Sequence, residues 1–401
     1  MAVPALVVPY REFLLAGLTA AVITFLLVGP VRVLALKLGA VAWPRGRDVH
    51  VTPTPRWGGI AMLGGVLAGV LMAFQLPALR LAFDFSNEVV GVMLAAVALV
   101  GVGALDDRYD LDALTKFAGQ VMSAGILIIF GVQWVSFWVP WGGNGQGNFL
   151  VLGNEQGVLV TVLLTVALVN AMNFVDGLDG LAAGIGMISA VASGAFALGL
   201  IVKVGNDPSY YSPALIAAVL AGACVGFLPH NFNPARIFMG DSGSMLIGLL
   251  LAAATTMESG KTGIDDKAPF NALALFSPLI VLASVVFVPV LDLLMAVVRR
   301  TRKGMSPFAP DKMHLHHRLL EIGHSHRRAV LLIYLWAGVL AFGAVALSLI
   351  DNPVVVLWAV GLGLVVAVLA SAVPRARRRG AAPAARSGSS VPERSGRITH
   401  R

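Results

Sequence analysis

Residues 88–112 read EVVGVMLAAVALVGVGALDDRYDLD: an uncharged run from Val89 to Leu105 stops abruptly at four carboxylates, Asp106, Asp107, Asp110 and Asp112. A run of this kind is a membrane span, because crossing the hydrocarbon takes about 20 largely apolar residues. It must also be a helix, since hydrocarbon offers backbone N–H and C=O groups no partner outside the segment. Adjacent carboxylates repel and raise each other's pKa unless a cation joins them. The junction therefore predicts a divalent-cation or general-base site at a helix end, the alternative being an acidic turn solvated at the membrane surface.

Working outward, the chain is 57% hydrophobic and 12% charged over 401 residues, with a mean hydropathy of +0.83. That is far from a soluble globular composition. Apolar runs at 13–36, 58–76, 88–105, 113–131, 156–173, 180–202, 211–228, 243–257, 272–298, 329–350 and 353–373 predict about eleven transmembrane helices, and none shows the period-two alternation of a barrel. The segments 37–57, 106–116, 229–242, 299–328 and 374–401 hold 23 of the Lys and Arg residues, against five in the intervening loops. The positive-inside rule then places the N-terminus outside and the C-terminus in the cytosol. The first run lacks a basic leader and a cleavage site, so it is expected to be an anchor. In the opposite loop, 132–155, Trp134, Phe137, Trp138 and Trp141 read as interface anchors. One transmembrane domain, 1–373, and a basic disordered tail, 374–401, are expected.

Composition also excludes functions. Cys224 is the only cysteine, so internal disulfides and cysteine-rich metal sites are out. The pI near 10 comes from residues beside spans, where anionic headgroups and phosphorylated substrates are the nearer partners; nucleic acid is not expected. No matched pair of interrupted helices suggests a transporter repeat.

Three further polar stretches fall on the same predicted side as 106–116. Asn170-Ala171-Met172-Asn173-Phe174-Val175-Asp176-Gly177-Leu178-Asp179-Gly180 sets two carboxylates three apart, and a helical reading of 176–179 would bring both to one face, as ligands for Mg²⁺ or Mn²⁺. Asn231 through Ser244 adds Asp241, framed by glycines; its Gly-Asp-Ser-Gly lacks the partners of a serine hydrolase, and Phe238 could stack on a nucleobase. Asp311-Lys312-Met313-His314-Leu315-His316-His317-Arg318 groups imidazoles and cations suited to a polyanion in preference to zinc. Lys116 sits at headgroup depth, and His50 in a polar loop long enough to cover a substrate.

Taken in this order, Asp106-Asp107, Asn173 to Gly180, Phe238 to Ser244 and His314-Leu315-His316-His317 resemble the polyprenyl-phosphate N-acetylhexosamine-1-phosphate transferase superfamily (glycosyltransferase family 4). Within it the chain is similar to bacterial undecaprenyl- or decaprenyl-phosphate GlcNAc-1-phosphate transferases. The resemblance implies an all-α polytopic enzyme of the bacterial plasma membrane with a cytosolic cleft, Mg²⁺ dependence, UDP-GlcNAc as donor, a polyprenyl phosphate as acceptor, and UMP as product. Membrane lipids and a homodimer are the remaining partners considered. Asp241, Asp106 and Asp176 would hold the metal. Asp106, Asp107, Asp176, His314, His316 and His317 would be catalytic. Lys116, Asn173, Asp179, Asn231, Phe238 and His50 would bind substrates, with Lys116 on the lipid phosphate and Asp179 and Phe238 on the uracil. Leu315 interrupts the three-histidine run typical of the phospho-MurNAc-pentapeptide transferase, which favours GlcNAc over that alternative; an ion-coupled transporter would place its carboxylates mid-span. Direct in-line displacement is expected, with Asp107 orienting the acceptor or taking its residual proton.

Overall fold

A computed structural model of the protein describes residues 8–43, 53–139, 148–261, 301–302, 304, 325–350 and 352–372. The expected span at 272–298, Trp141, His50, His314, His316, His317 and the tail lie outside these residues.

The described helices are α1 (Tyr10–Leu38), α2 (Gly58–Gln75), α3 (Leu81–Phe85), α4 (Glu88–Tyr109), α5 (Ala113–Ile129), α6 (Asn154–Val175), α7 (Leu181–Lys203), α8 (Tyr211–Asn231), α9 (Gly240–Lys261), α10 (His326–Leu349) and α11 (Pro353–Ala372). Among the described residues eight segments are long and apolar enough to cross a membrane: α1, α2, α4, α6, α7, α8 with its leading 3₁₀ turn, α10 and α11. The chain is therefore an α-helical polytopic membrane protein. α5 is apolar but shorter, at 17 residues. α9 carries Ser242, Ser244, Thr255, Thr256, Glu258 and Ser259 among its buried side chains. It tolerates them because protein surrounds it: α2, α4, α6, α7 and α8 all pack on it.

Two antiparallel ribbons interrupt the all-helical expectation. β1 (Val41–Ala42) pairs with β2 (Thr54–Pro55), and β3 (Ser136–Val139) with β4 (Asn148–Val151). The second ribbon corrects the reading of Trp134. It is 2% exposed, its indole N–H donates to Ser136 O (2.9 Å), and its ring lies 5.2 Å from that of Phe137. It plugs the ribbon and does not anchor the headgroup layer.

Small residues let the helices approach, as expected where lipid supplies no hydrophobic drive for helix association. A Cβ on Gly222 of α8 would stand 1.9 Å from Gly17 O of α1, and one on Gly226 2.1 Å from Ala21 O. Helix ends then converge on one face. Arg108 donates from Nε to Leu38 O, Trp57 from Nε1 to Ala104 O (2.9 Å), and Arg327 from Nε to Asn233 O (2.9 Å). An Arg328 Nη donates to Ala370 O (3.3 Å). The start of α1 is thus on the opposite face and the end of α11 on this one.

Gly222→Ala should lower stability by about 1–3 kcal/mol through overpacking against an immovable backbone oxygen. Gly101→Ala, where a Cβ meets nothing within 4 Å, should not; thermal unfolding of both variants in detergent checks this.

Candidate active site

The site forms where α4 ends and α9 begins, and the four carboxylates of 106–112 divide there. Asp110 closes α4 in the left-handed conformation (φ 54°). Asp112 caps α5, accepting from Thr115 N (2.7 Å) and Thr115 Oγ1 (3.0 Å). Only Asp106 and Asp107 are buried. Asp106 Oδ1 accepts from Leu111 N (2.8 Å), which folds the α4–α5 turn back on its own helix.

Asp107 receives the first turn of α9. Its Oδ1 accepts from Asp241 N (2.9 Å), and its Oδ2 from Ser242 N (3.3 Å) and Ser242 Oγ (2.9 Å). A carboxylate at this position satisfies amides that have no intrahelical partner and sits at the positive end of the helix dipole. Three glycines permit the approach. Gly240 adopts φ 71°, and a Cβ there would lie 2.3 Å from Asp107 Oδ2; a Cβ on Gly103 would lie 2.6 Å from Ser242 Cα, and one on Gly59 2.2 Å from Gly243 N.

Asp241, fixed in this turn, faces Lys116 and Asn173. Lys116 Nζ lies 2.6 Å from Asp106 Oδ2 and 3.1 Å from Asp241 Oδ2. Asn173 Nδ2 donates to Asp241 Oδ1 (3.0 Å) and Ser244 Oγ (3.0 Å). The ends of α4 and α6 and the starts of α5 and α9 therefore meet in one cluster of alternating charge. Such a cluster can exchange the ammonium for a divalent cation and offer the ammonium to an anion.

Among the described residues no three carboxylate, imidazole or thiol groups form a ready-made metal centre. Two carboxylates do converge, and Mg²⁺ is commonly held by one or two of them with substrate phosphates completing its shell. The donor set fits that ion in the company of a phosphorylated ligand.

The helical reading of 176–179 is corrected. α6 ends at Val175, and a turn leads to Gly180 (φ 81°), which opens α7; the two glycines break the helix. Asp176 and Asp179 consequently sit in a turn and take different roles. Burial, with the charges of Asp107, Asp241 and Asp179, pushes the Asp176 carboxyl up to about 7, against the pull of Arg56. Asp179 Oδ2 instead accepts from Asn233 Nδ2 and Ala235 N (both 3.0 Å), tying down the loop before α9. Asn231, read as substrate-binding, has its amide engaged within the fold. It is 2% exposed, with Oδ1 accepting from Gly180 N and Nδ2 donating to Ile237 O (both 3.0 Å), so it cross-links α7 to α8 and the loop. Phe238 is half-buried, its backbone paired with Pro55 O (2.8 Å) and Gly58 N (3.1 Å). Tyr334 Oη donates to Gly180 O, anchoring α10 beside the same turn.

Sequence reading missed Ser242 and Ser244 as members of this network, and the Gln120–Asn170 pair beside it. Their partners lie 50 to 135 residues away along the chain, where the described bonds are Gln120–Asn170 and Asp107–Ser242, and no local spacing announces them.

The raised pKa of Asp176 gives a sign to the pH dependence. The fold opposes its charge, so the penalty is absent below the unfolded value near 4, grows as pH rises towards about 7, and is constant above. The ligand-free protein should lose thermal stability from pH 5 to pH 8, and Asp176→Asn should make that slope shallower by removing one of its contributors; equal slopes in variant and wild type would contradict it.

The sequence profile described as Glycosyl transferase family 4 matches residues 89–259, the stretch from α4 through α9 that builds the cluster. The decaprenyl-phosphate N-acetylglucosaminephosphotransferase of Mycobacterium tuberculosis (strain H37Rv) is 56% identical over 372 residues, 92% of this chain and 91% of that protein. The probable undecaprenyl-phosphate N-acetylglucosaminyl 1-phosphate transferase of Bacillus subtilis is 34% identical, covering 81% and 82%. The undecaprenyl-phosphate alpha-N-acetylglucosaminyl 1-phosphate transferase of Escherichia coli K12 is 32% identical, covering 77% of each chain. The chain belongs to glycosyl transferase family 4, in the group that holds these polyprenyl-phosphate N-acetylglucosamine phosphotransferases.

Proposed function

We propose that the protein transfers GlcNAc-1-phosphate from UDP-GlcNAc to a polyprenyl phosphate, decaprenyl in the Mycobacterium tuberculosis relative, releasing UMP. The observation that carries this is the Lys116 ammonium held between Asp106 and Asp241, with Asn173 on the remaining Asp241 oxygen. It supports a site for two phosphorylated substrates.

Phosphoryl transfer between anions is limited by repulsion and alignment, so positioning and charge neutralisation supply most of the catalysis. A lipid phosphate has its second pKa near 6 and is largely dianionic at neutral pH. Its oxygen attacks the phosphorus that bears the sugar. The bond from that phosphorus to the bridging oxygen breaks, and UMP departs with the electron pair. When bound, a divalent cation supplies neutralisation of the donor diphosphate; Asp241 and Asp106 would hold it, and Asp176 would add charge. Lys116, released from the two carboxylates, would take the acceptor phosphate. Asp107 has both oxygens engaged on α9, so we assign it to positioning Asp241, and the acceptor dianion needs no base. His314, His316, His317 and His50 stay proposed donor contacts.

The carboxylates sit at helix ends, which favours this reading over an ion-coupled transporter. We further propose eleven spans, with 272–298 added to the described helices, the site facing the cytosol of a bacterial plasma membrane, and residues 1–373 forming one domain ahead of a basic tail.

Purified protein given UDP-GlcNAc, decaprenyl phosphate and Mg²⁺ should release UMP, and Asp241→Asn should lower the rate by about 10²-fold or more while eluting as a folded species. Near-wild-type turnover would remove Asp241 from the site.

A further inference from the structure

One turn below the charged cluster, inside the apolar body of the helices, α5 and α6 carry an amide on each facing side. Gln120 Oε1 accepts from Asn170 Nδ2 (2.7 Å), and Gln120 Nε2 donates to Asn170 Oδ1 (3.4 Å). Asn170 Nδ2 also donates to Val166 O (2.8 Å). Gln120 is 3% exposed. Carboxamides in such surroundings are costly without partners, and a reciprocal pair fixes the distance and register of the two helices that bear it.

The position of the pair matters because of what stands on it. Gln120 lies four residues after Lys116 on α5, and Asn170 three before Asn173 on α6, so each amide shares a helix face with one ligand of Asp241. α5 packs chiefly against α4 and α6, and its outer side presents Leu114, Phe117, Met122 and Ile129 at 50% exposure or more. Among the described residues, the helix that carries Lys116 is thus held from one side.

We propose that Gln120 and Asn170 form an intramembrane latch, a pair of positioning residues that sets where the Lys116 ammonium stands relative to Asn173 and Asp241. Because Lys116 is assigned to the acceptor phosphate, the kinetic part of this inference rests on the function proposed above. The latch carries no charge and does not titrate. Its loss should act on acceptor binding and leave the pH profile in place.

Gln120→Leu should raise the KM for polyprenyl phosphate about tenfold to a hundredfold, with a much smaller change in the KM for UDP-GlcNAc and an unshifted pH profile. The exchanged double variant Gln120→Asn/Asn170→Gln, which keeps the combined reach, should recover most of the loss. Spin labels at exposed Phe117 and Phe174 should in parallel report a broadened or shifted separation in Gln120→Leu. An unchanged separation, or equal losses for donor and acceptor that follow a lowered melting temperature, would overturn the latch. Absence of UMP release from the wild type would count against the proposed function alone, since the spin-label separation tests the latch without it.

Discussion

Asp107 closing the N-terminus of α9 is the contact on which the rest of the site depends. It joins the end of one buried helix to the beginning of another 134 residues later, and it does so through backbone amides, which leave little freedom of orientation. Asp241 is the residue whose own N–H is held, so the carboxylate that faces Lys116 and Asn173 takes its direction from Asp107. Gly240, Gly103 and Gly59 surround the contact because any Cβ there would collide with it. The pair Asp106-Asp107 is therefore divided in labour: one faces the ammonium, and its neighbour holds the helix that supplies the second carboxylate.

This arrangement answers a problem of solvent. Charged groups near hydrocarbon need partners, and most of the carboxylates around the site have them. Asp106 and Asp241 share Lys116, Asp179 holds a loop, and Asp112 caps a helix. The apolar bulk contributes something different. Small residues on α1, α2 and α8 bring backbones into contact and build a rigid frame, so that helix ends carrying the polar groups arrive at one face in fixed relation. Asp176 is the exception, raised by burial and by its acidic neighbours, and its strain is the kind that a bound cation relieves.

Much of this was legible in the sequence, for reasons that are local. Span length is a property of a contiguous run, so α1, α2, α4, α6, α7, α8, α10 and α11 fall close to the predicted boundaries. Lys116, Asn173 and Asp241 stand out as rare polar residues at the ends of apolar runs, and the family resemblance orders them. What the sequence does not display is whatever depends on distant partners. Asp107 reads as a group that orients the acceptor or takes its proton because α9, which engages both its oxygens, is far away in sequence. Asn231 looked like a ligand contact because Gly180 and Ile237 could not be seen to enclose it. Trp134 looked like an anchor because an aromatic in a short ribbon and an aromatic at an interface have the same sequence signature. The 176–179 carboxylates looked helical because spacing alone does not report that the intervening and following glycines turn the chain.

The most direct test of this division of labour is the affinity of purified protein for UDP-GlcNAc in the presence of Mg²⁺, measured by calorimetry for wild type and Asp107→Asn. If Asp107 places Asp241, the substitution weakens donor binding much as Asp241→Asn does, even with no acceptor present. Donor affinity equal to wild type, with turnover alone lost, would contradict the account and return Asp107 to the chemical step.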